Sequence, residues 1–181
     1  SSDLKMFLTD SCVTRILHKK HPENTISAMG LMDLNNAVEL LFDKILQNCA
    51  PLVQMNEKEV ILSLDFVVPD SIRSDVKNYA DKELEDFKKV GKQIGKRSDS
   101  EFPLDELQSR MRENYRTVTI TAEATVYTAA VLEYCIELLL DVAANKVGKN
   151  RAIGRNDVKW ALANDMDVSS VYQRPDRKSV V

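Results

Sequence analysis

Residues 122–149 read AEATVYTAAVLEYCIELLLDVAANKVGK. The spacing predicts one long helix, ended by the stop signals Gly148 and Asn150. Its apolar positions, Val126, Tyr127, Ala130, Val131, Tyr134, Ile136, Leu138, Leu139, Val142 and Val147, cover more than one face. A surface helix buries a single stripe; a helix that is apolar on several sides needs packing partners on several sides. This segment therefore belongs at the centre of a helical assembly.

A second segment of the same kind spans about residues 27–55. It carries Met29, Leu31, Met32, Leu34, Val38, Leu40, Leu41, Phe42, Ile45, Leu46, Cys49, Leu52 and Val53. Pro51 is expected to kink it near its end. Short elements flank both rods. Cys12, Val13, Ile16 and Leu17 form one stripe of a helix over Ser11–Lys19, with Asp10 or Ser11 as its cap, and His21-Pro22-Glu23-Asn24 stops it. After the first rod, Val60 and Ile61 read as a short extended piece and Ser63–Val68 as a very short helix. Pro69 then opens a charged helix that runs to about Val90. Its narrow stripe is Ile72, Val76, Tyr79, Leu84 and Phe87, and most of its length is expected to face solvent.

Gly91–Ser100 is polar and contains glycine, as a flexible linker does. It divides the chain into a half at 1–90, a linker at 91–101 and a half at 102–181. The second half predicts a short helix over Pro103–Glu113, a loop at 114–119, the second rod, an extended piece ending at Ile153 and a short helix to about Asn164. Ile61-Leu62-Ser63-Leu64-Asp65-Phe66 and Ile153-Gly154-Arg155-Asn156-Asp157-Val158 share one pattern: an apolar residue, three residues, an acid, an apolar residue. Each half thus reads short helix, loop, long helix, loop, short helix. One such half cannot bury a rod that is apolar on several faces, whereas two crossed head to tail can. Burial stabilises by roughly 25 cal/mol per Å² of apolar area, and a short linker raises the partner's effective concentration to roughly millimolar. The expected fold is all-α, with the two halves paired within one molecule.

Composition narrows the function. Hydrophobic residues make up 44 % of the 181-residue chain, too many for a disordered chain. No apolar run is long enough for a membrane span, and no signal-peptide pattern opens the chain. Cys12, Cys49 and Cys135 are far apart, with no CxxC spacing, and read as reduced core thiols of an intracellular protein. His18 and His21 are the two histidines; no Gly-rich phosphate loop, HExxH or GxSxG is present, so neither an enzyme nor a cofactor is expected. The net charge is −3. Residues 1–90 hold 11 basic against 15 acidic side chains and residues 91–181 hold 14 against 13. Binding to nucleic acid would therefore depend on local clusters of cations.

Residues 126–134, VYTAAVLEY, resemble the middle-helix signature of histone 2A. Phe102-Pro103, Asn114-Tyr115, Ala144-Asn145, Arg151-Ala152-Ile153 and Ala163-Asn164-Asp165 agree with it. The first half resembles histone 2B, in His21-Pro22 before ISAMGLM at 26–32 and in Pro69 opening the C-terminal helix. A 2B-like half followed by a 2A-like half is similar to the histone doublets of Marseillevirus-type giant DNA viruses. The resemblance implies two tandem histone folds in an intramolecular handshake.

The same resemblance implies a DNA-packaging role. Its partners would be double-stranded DNA, a histone 3/4-type pair or doublet and a second copy of the chain in one nucleosome-like particle. No membrane and no small-molecule substrate would be involved. The location would be the virion and the host nucleus or viral factory. The implied DNA contacts are Arg151 in the second loop and Arg116 in the first loop of the 2A-like half, and Arg110 and Arg112 on its first helix. In the 2B-like half they are Lys58, flanked by Glu57 and Glu59, and Arg15, Lys19 and Lys20 near the first loop. Glu133, Asp141, Asp165 and Asp167 match the acidic patch that captures arginine anchors, with Glu137 on the same helix and Met166 departing from the pattern. Three further departures stand out. The third helix of the 2B-like half reads about six residues short, neither end carries a long basic run, and the chain stops soon after Tyr172. A histone-fold interaction module that does not wrap DNA is the competing expectation, and the net charge favours it.

Overall fold

The computed structural model of the chain describes residues 7–91 and 102–173. The described residues form eight helices and four two-residue strands. The linker expected at 91–101 lies, beyond Gly91, outside them, as do residues 1–6, 101 and 174–181.

The first half runs α1 (Asp10–His18), β1 (Thr25–Ile26), α2 (Ala28–Gln47), β2 (Gln54–Met55), α3 (Glu57–Val67) and α4 (Asp70–Lys89). The second runs α5 (Leu104–Asn114), β3 (Thr119–Ile120), α6 (Ala122–Val147), β4 (Ala152–Ile153), α7 (Arg155–Asn164) and α8 (Met166–Tyr172). Polar side chains start several of the helices, while Pro69 and Pro103 precede α4 and α5. Thr9, rather than Asp10 or Ser11, caps α1 by accepting from the Cys12 N–H at 3.2 Å. Ser27 and Thr121 do the same for the two long helices, at Gly30 and Ala124.

Each strand of one half pairs with a strand of the other. β1 lies parallel to β4, with Thr25 opposite Ala152 and Ile26 opposite Ile153. β2 lies parallel to β3, with Gln54 opposite Thr119 and Met55 opposite Ile120. The first loop of each half is thus stitched to the second loop of the other, at two separate places. Between them α2 and α6 pack together, and α6 also touches α1, α3, α4, α5, α7 and α8. Ten consecutive residues of α6, Ala124 to Glu133, are buried, as expected of a helix that is apolar on more than one face. The core is shared by both halves: Leu34, Val38, Leu41, Phe42 and Ile45 from α2 join Val126, Tyr127, Val131, Ile136 and Leu139 from α6. α4 lies along α6 and buries Ile72, Val76, Ala80, Leu84 and Phe87, one stripe at helical spacing.

Three expectations are corrected. α2 ends at Gln47, not near residue 55. The ring of Pro51 would clash with the carbonyl four residues earlier, which is that of Gln47, so Pro51 ends the helix rather than kinking it. Next, Val60 and Ile61 lie inside α3, not in an extended piece. The Glu59 carboxylate reaches back to the N–H of Asn56 at 2.9 Å and fixes the start of α3 at Glu57. Asp157 does the same to Gly154 at 2.8 Å before α7. The repeat therefore aligns Met55–Val60 with Ile153–Val158, six residues earlier than the pattern at Ile61 suggests. Finally, α3 has 11 residues against 10 in α7, so the third helix is not short; α2 has 20 residues against 26 in α6, and the shortening is there.

Candidate nucleic-acid interface

The β1–β4 pair brings the turn after α1 against the turn after α6. Asn24, 1 % exposed, donates from its amide nitrogen to the carbonyls of Gly148 at 2.8 Å and Arg151 at 2.9 Å. The Ser27 N–H donates to the Ile153 carbonyl at 2.9 Å. Asn150 holds a left-handed backbone, φ 63°, which asparagine tolerates better than most residues. The turn that carries Arg151 is therefore fixed from the opposite half, while the Arg151 side chain stays exposed. Lys20 is exposed at this end; Lys19, the C-cap of α1, is exposed too, and its ammonium lies 6.0 Å from the ring centroid of Tyr79 in α4. Arg15 is exposed one turn before Lys19, on the same side of the helix. The exposed Lys149 joins this end.

At the β2–β3 pair, Arg116 is exposed in the turn between α5 and β3, and Arg112 is exposed in the last turn of α5. Tyr115 anchors this turn by donating from its hydroxyl to the carbonyls of Leu46 and Cys49. Lys58 is exposed in the first turn of α3, not in the preceding loop. Arg110 faces inward. Its guanidinium makes a bidentate pair with Glu39 at 2.6 and 2.5 Å and covers the rings of Phe7 and Phe42, 4.5 and 5.8 Å from their centroids. The hydrogen bonds to Glu39 hold its pKa above the usual range.

The five acids implied as a patch meet donors from this chain. Glu133, 4 % exposed, accepts from the Tyr79 hydroxyl of α4 at 3.1 Å. Glu137 pairs with Lys20 at 3.4 Å and Asp141 with His21 at 2.6 Å. Asp165 caps α8 by accepting from the Val168 N–H, and Asp167 accepts from the Ser71 hydroxyl at 2.5 Å. Of the five acids, Glu137 and Asp141 line a cavity of about 220 Å³ between α4 and α6, with Lys20, Tyr79, Tyr134 and Leu138. Met166, which breaks the acidic pattern, is 84 % exposed.

One surface escaped the sequence reading. A groove of about 500 Å³ runs between the turn at 48–54 and α3. It exposes Leu52 and Val53, 93 and 76 %, and Leu62 and Phe66, 57 and 79 %. The apolar run carries Leu52 and Val53 on from the first rod, but they lie beyond the end of α2 at Gln47. Pro51 was the signal that they leave it.

The chain is 32 % identical over 74 residues to histone H2AX of Dictyostelium discoideum. The match takes in 40 % of this chain and 48 % of that protein, so the chain spans about half the length of the curated relative it matches. No family model matches the chain. Together with the helix–strand–long helix–strand–helix order in both halves, this likeness makes the architecture an all-α histone fold with a part similar to histone 2A.

Proposed function

We propose that the chain is a structural, non-catalytic DNA-packaging protein in which a 2B-like and a 2A-like histone fold are joined as a doublet. The observation that carries this reading is the reciprocal pairing of β1 with β4 and β2 with β3. It gathers exposed cations from both halves at each end: Arg15, Lys19, Lys20 and Arg151 at one, Arg112, Arg116 and Lys58 at the other. Such cations contact phosphate and enter the minor groove without reading bases. Arg110 serves in this reading as the anchor of α5 on α2. The acidic face between α4 and α6 is the seat for arginine anchors of other proteins.

A histone 3/4-type pair completes the particle, with a second copy of this chain. We place its contact on the groove of Leu52, Val53, Leu62 and Phe66, an exposed apolar surface of the kind that marks an interface. Chromatin is the site of action, and the likeness to viral doublets points to the virion and the viral factory or host nucleus.

Reconstitution with a 3/4-type pair on DNA, followed by nuclease digestion, tests the reading. A protected fragment is expected; none at any salt concentration sinks it. Arg151→Ala should weaken binding equally across sequences and lower the salt slope by about one. The net charge of −3 favours a second reading, an interaction module that does not wrap DNA. That reading requires binding to DNA to be absent, or insensitive to salt.

A further inference from the structure

Lys20 borders two cavities. One is the acid-lined cavity between α4 and α6, where its ammonium lies 3.4 Å from Glu137. The other, of about 350 Å³, is lined by Lys20, His21, Glu23, Asn24, Asn145 and Lys149 among others. This second cavity lies at the β1–β4 end, beside the turn that carries Arg151, and offers a second ammonium and the amide of Asn145. Two successive residues, Lys20 and His21, are thus held by two α6 carboxylates one turn apart.

The two contacts differ in kind. The side chains of His21 and Asp141 are 17 and 35 % exposed and meet at 2.6 Å, which fixes the backbone of the turn. Lys20 is 58 % exposed and Glu137 19 %. An ion pair this open to water is weak and readily exchanged. The four-carbon stem of lysine lets the ammonium swing while its backbone stays in place. A carboxylate and a phosphate compete for the same donors.

We propose that Glu137 is a built-in competitor for the DNA backbone. It holds Lys20 in the acid-lined cavity of the free chain and yields it to a phosphate that enters the second cavity beside Lys149. This rests on the DNA-binding reading above and adds its regulation. The same exchange bares Glu137, so phosphate at one cavity and a cationic side chain at the other favour each other's binding.

The test measures binding of a short mixed-sequence DNA duplex over a salt series. It compares the full chain with Glu137→Gln, Lys20→Gln and the double variant, and with Glu23→Gln as a control for removing one negative charge near the second cavity. Glu137→Gln should bind about two- to fivefold tighter than the parent, the range that a surface ion pair withholds. In the Lys20→Gln background the gain should fall to that of Glu23→Gln. Glu137→Asp keeps the charge but shortens its reach, and should give a gain of the same sign if the amide variant folds poorly. Equal gains in both backgrounds, or no gain, overturn the competition and leave DNA binding standing. No salt-sensitive binding by any of these proteins overturns both.

Discussion

Gly30 of α2 lies against the backbone carbonyl of Ile153 in β4, so close that a Cβ built on it would stand 2.6 Å from that oxygen. The same carbonyl accepts the Ser27 N–H, so it cannot turn away without losing the bond that stitches the two halves together. In an isolated helix alanine would stabilise this position by about 1 kcal/mol over glycine. Here the clash is with backbone and outweighs that gain. Gly30→Ala should lower the unfolding free energy by about 1–3 kcal/mol, measured by urea unfolding. Gly154→Ala, whose Cβ would meet nothing closer than 3.6 Å, should stay within about 1 kcal/mol of the parent. Equal effects at the two glycines would contradict the close approach of α2 and β4.

Lys44 gives the folded state a pH dependence. Its ammonium donates to the carbonyls of Val171 and Gln173, tying α2 to the end of α8, and burial pushes its pKa down to about 8. The unfolded chain keeps the ordinary value of 10.5. Between these values the unfolded chain holds a proton that the folded chain has released, so stability rises with pH across that window. Below about pH 8 both states are protonated and the folded state bears the full cost of burying the charge. Lys44→Met should therefore gain most, relative to the parent, below pH 8, and the advantage should shrink towards pH 10.5. Cys49 and Cys135, with thiol pKa values pushed up by burial from 9.0 to about 11 and about 12, lower stability as pH rises above about 9; both proteins keep these thiols, so Lys44 is read from the difference between the two. A difference that does not vary with pH would place the Lys44 ammonium in water.

Two tyrosines should respond in opposite ways to loss of the hydroxyl. Tyr172 is buried, and its hydroxyl meets no hydrogen-bond partner among the described residues. Tyr172→Phe should leave stability unchanged or raise it by about 1 kcal/mol. Tyr115 donates to the carbonyls of Leu46 and Cys49, where α2 ends, and Tyr115→Phe should cost about 1 kcal/mol. Thermal unfolding of both variants distinguishes the two environments.

Phe66→Asp separates folding from assembly. Phe66 is 79 % exposed, so its loss should change the unfolding free energy by no more than about 0.5 kcal/mol. If the groove seats a 3/4-type pair, the same substitution should abolish co-assembly, read by gel filtration of the mixed proteins. Normal assembly of Phe66→Asp would move that contact elsewhere.

The central architecture was legible in the sequence because α6 is apolar on more than one face, and few folds can bury such a helix. The stripe on α4 was legible from its three- and four-residue spacing, except that Ala80 is buried there and Tyr79 is only half-buried. The end of α2 was not. Cys49, Leu52 and Val53 continue the apolar run past Gln47, and periodicity cannot tell a helix from an exposed apolar turn. The start of α3 was obscured by Val60 and Ile61, which resemble a strand until Asn56 and Glu59 are seen as its capping pair. At the candidate interface, the exposed cations could be named from their likeness to histone positions. The contacts of Arg110 with Glu39 and of Lys20 with Glu137 could not, since each joins residues far apart in the chain. Only the crossing of the halves brings them together.

The shortfall of six residues in α2 against α6 amounts to about 9 Å of helix at 1.5 Å per residue. It spoils the twofold likeness that two equal halves would have had. One end of the molecule is left with a polar turn around Asn24 and Arg151, the other with a greasy notch at Phe66. A body with unlike poles has a heading. An array that joined unlike poles would inherit its direction from the shorter of the two rods.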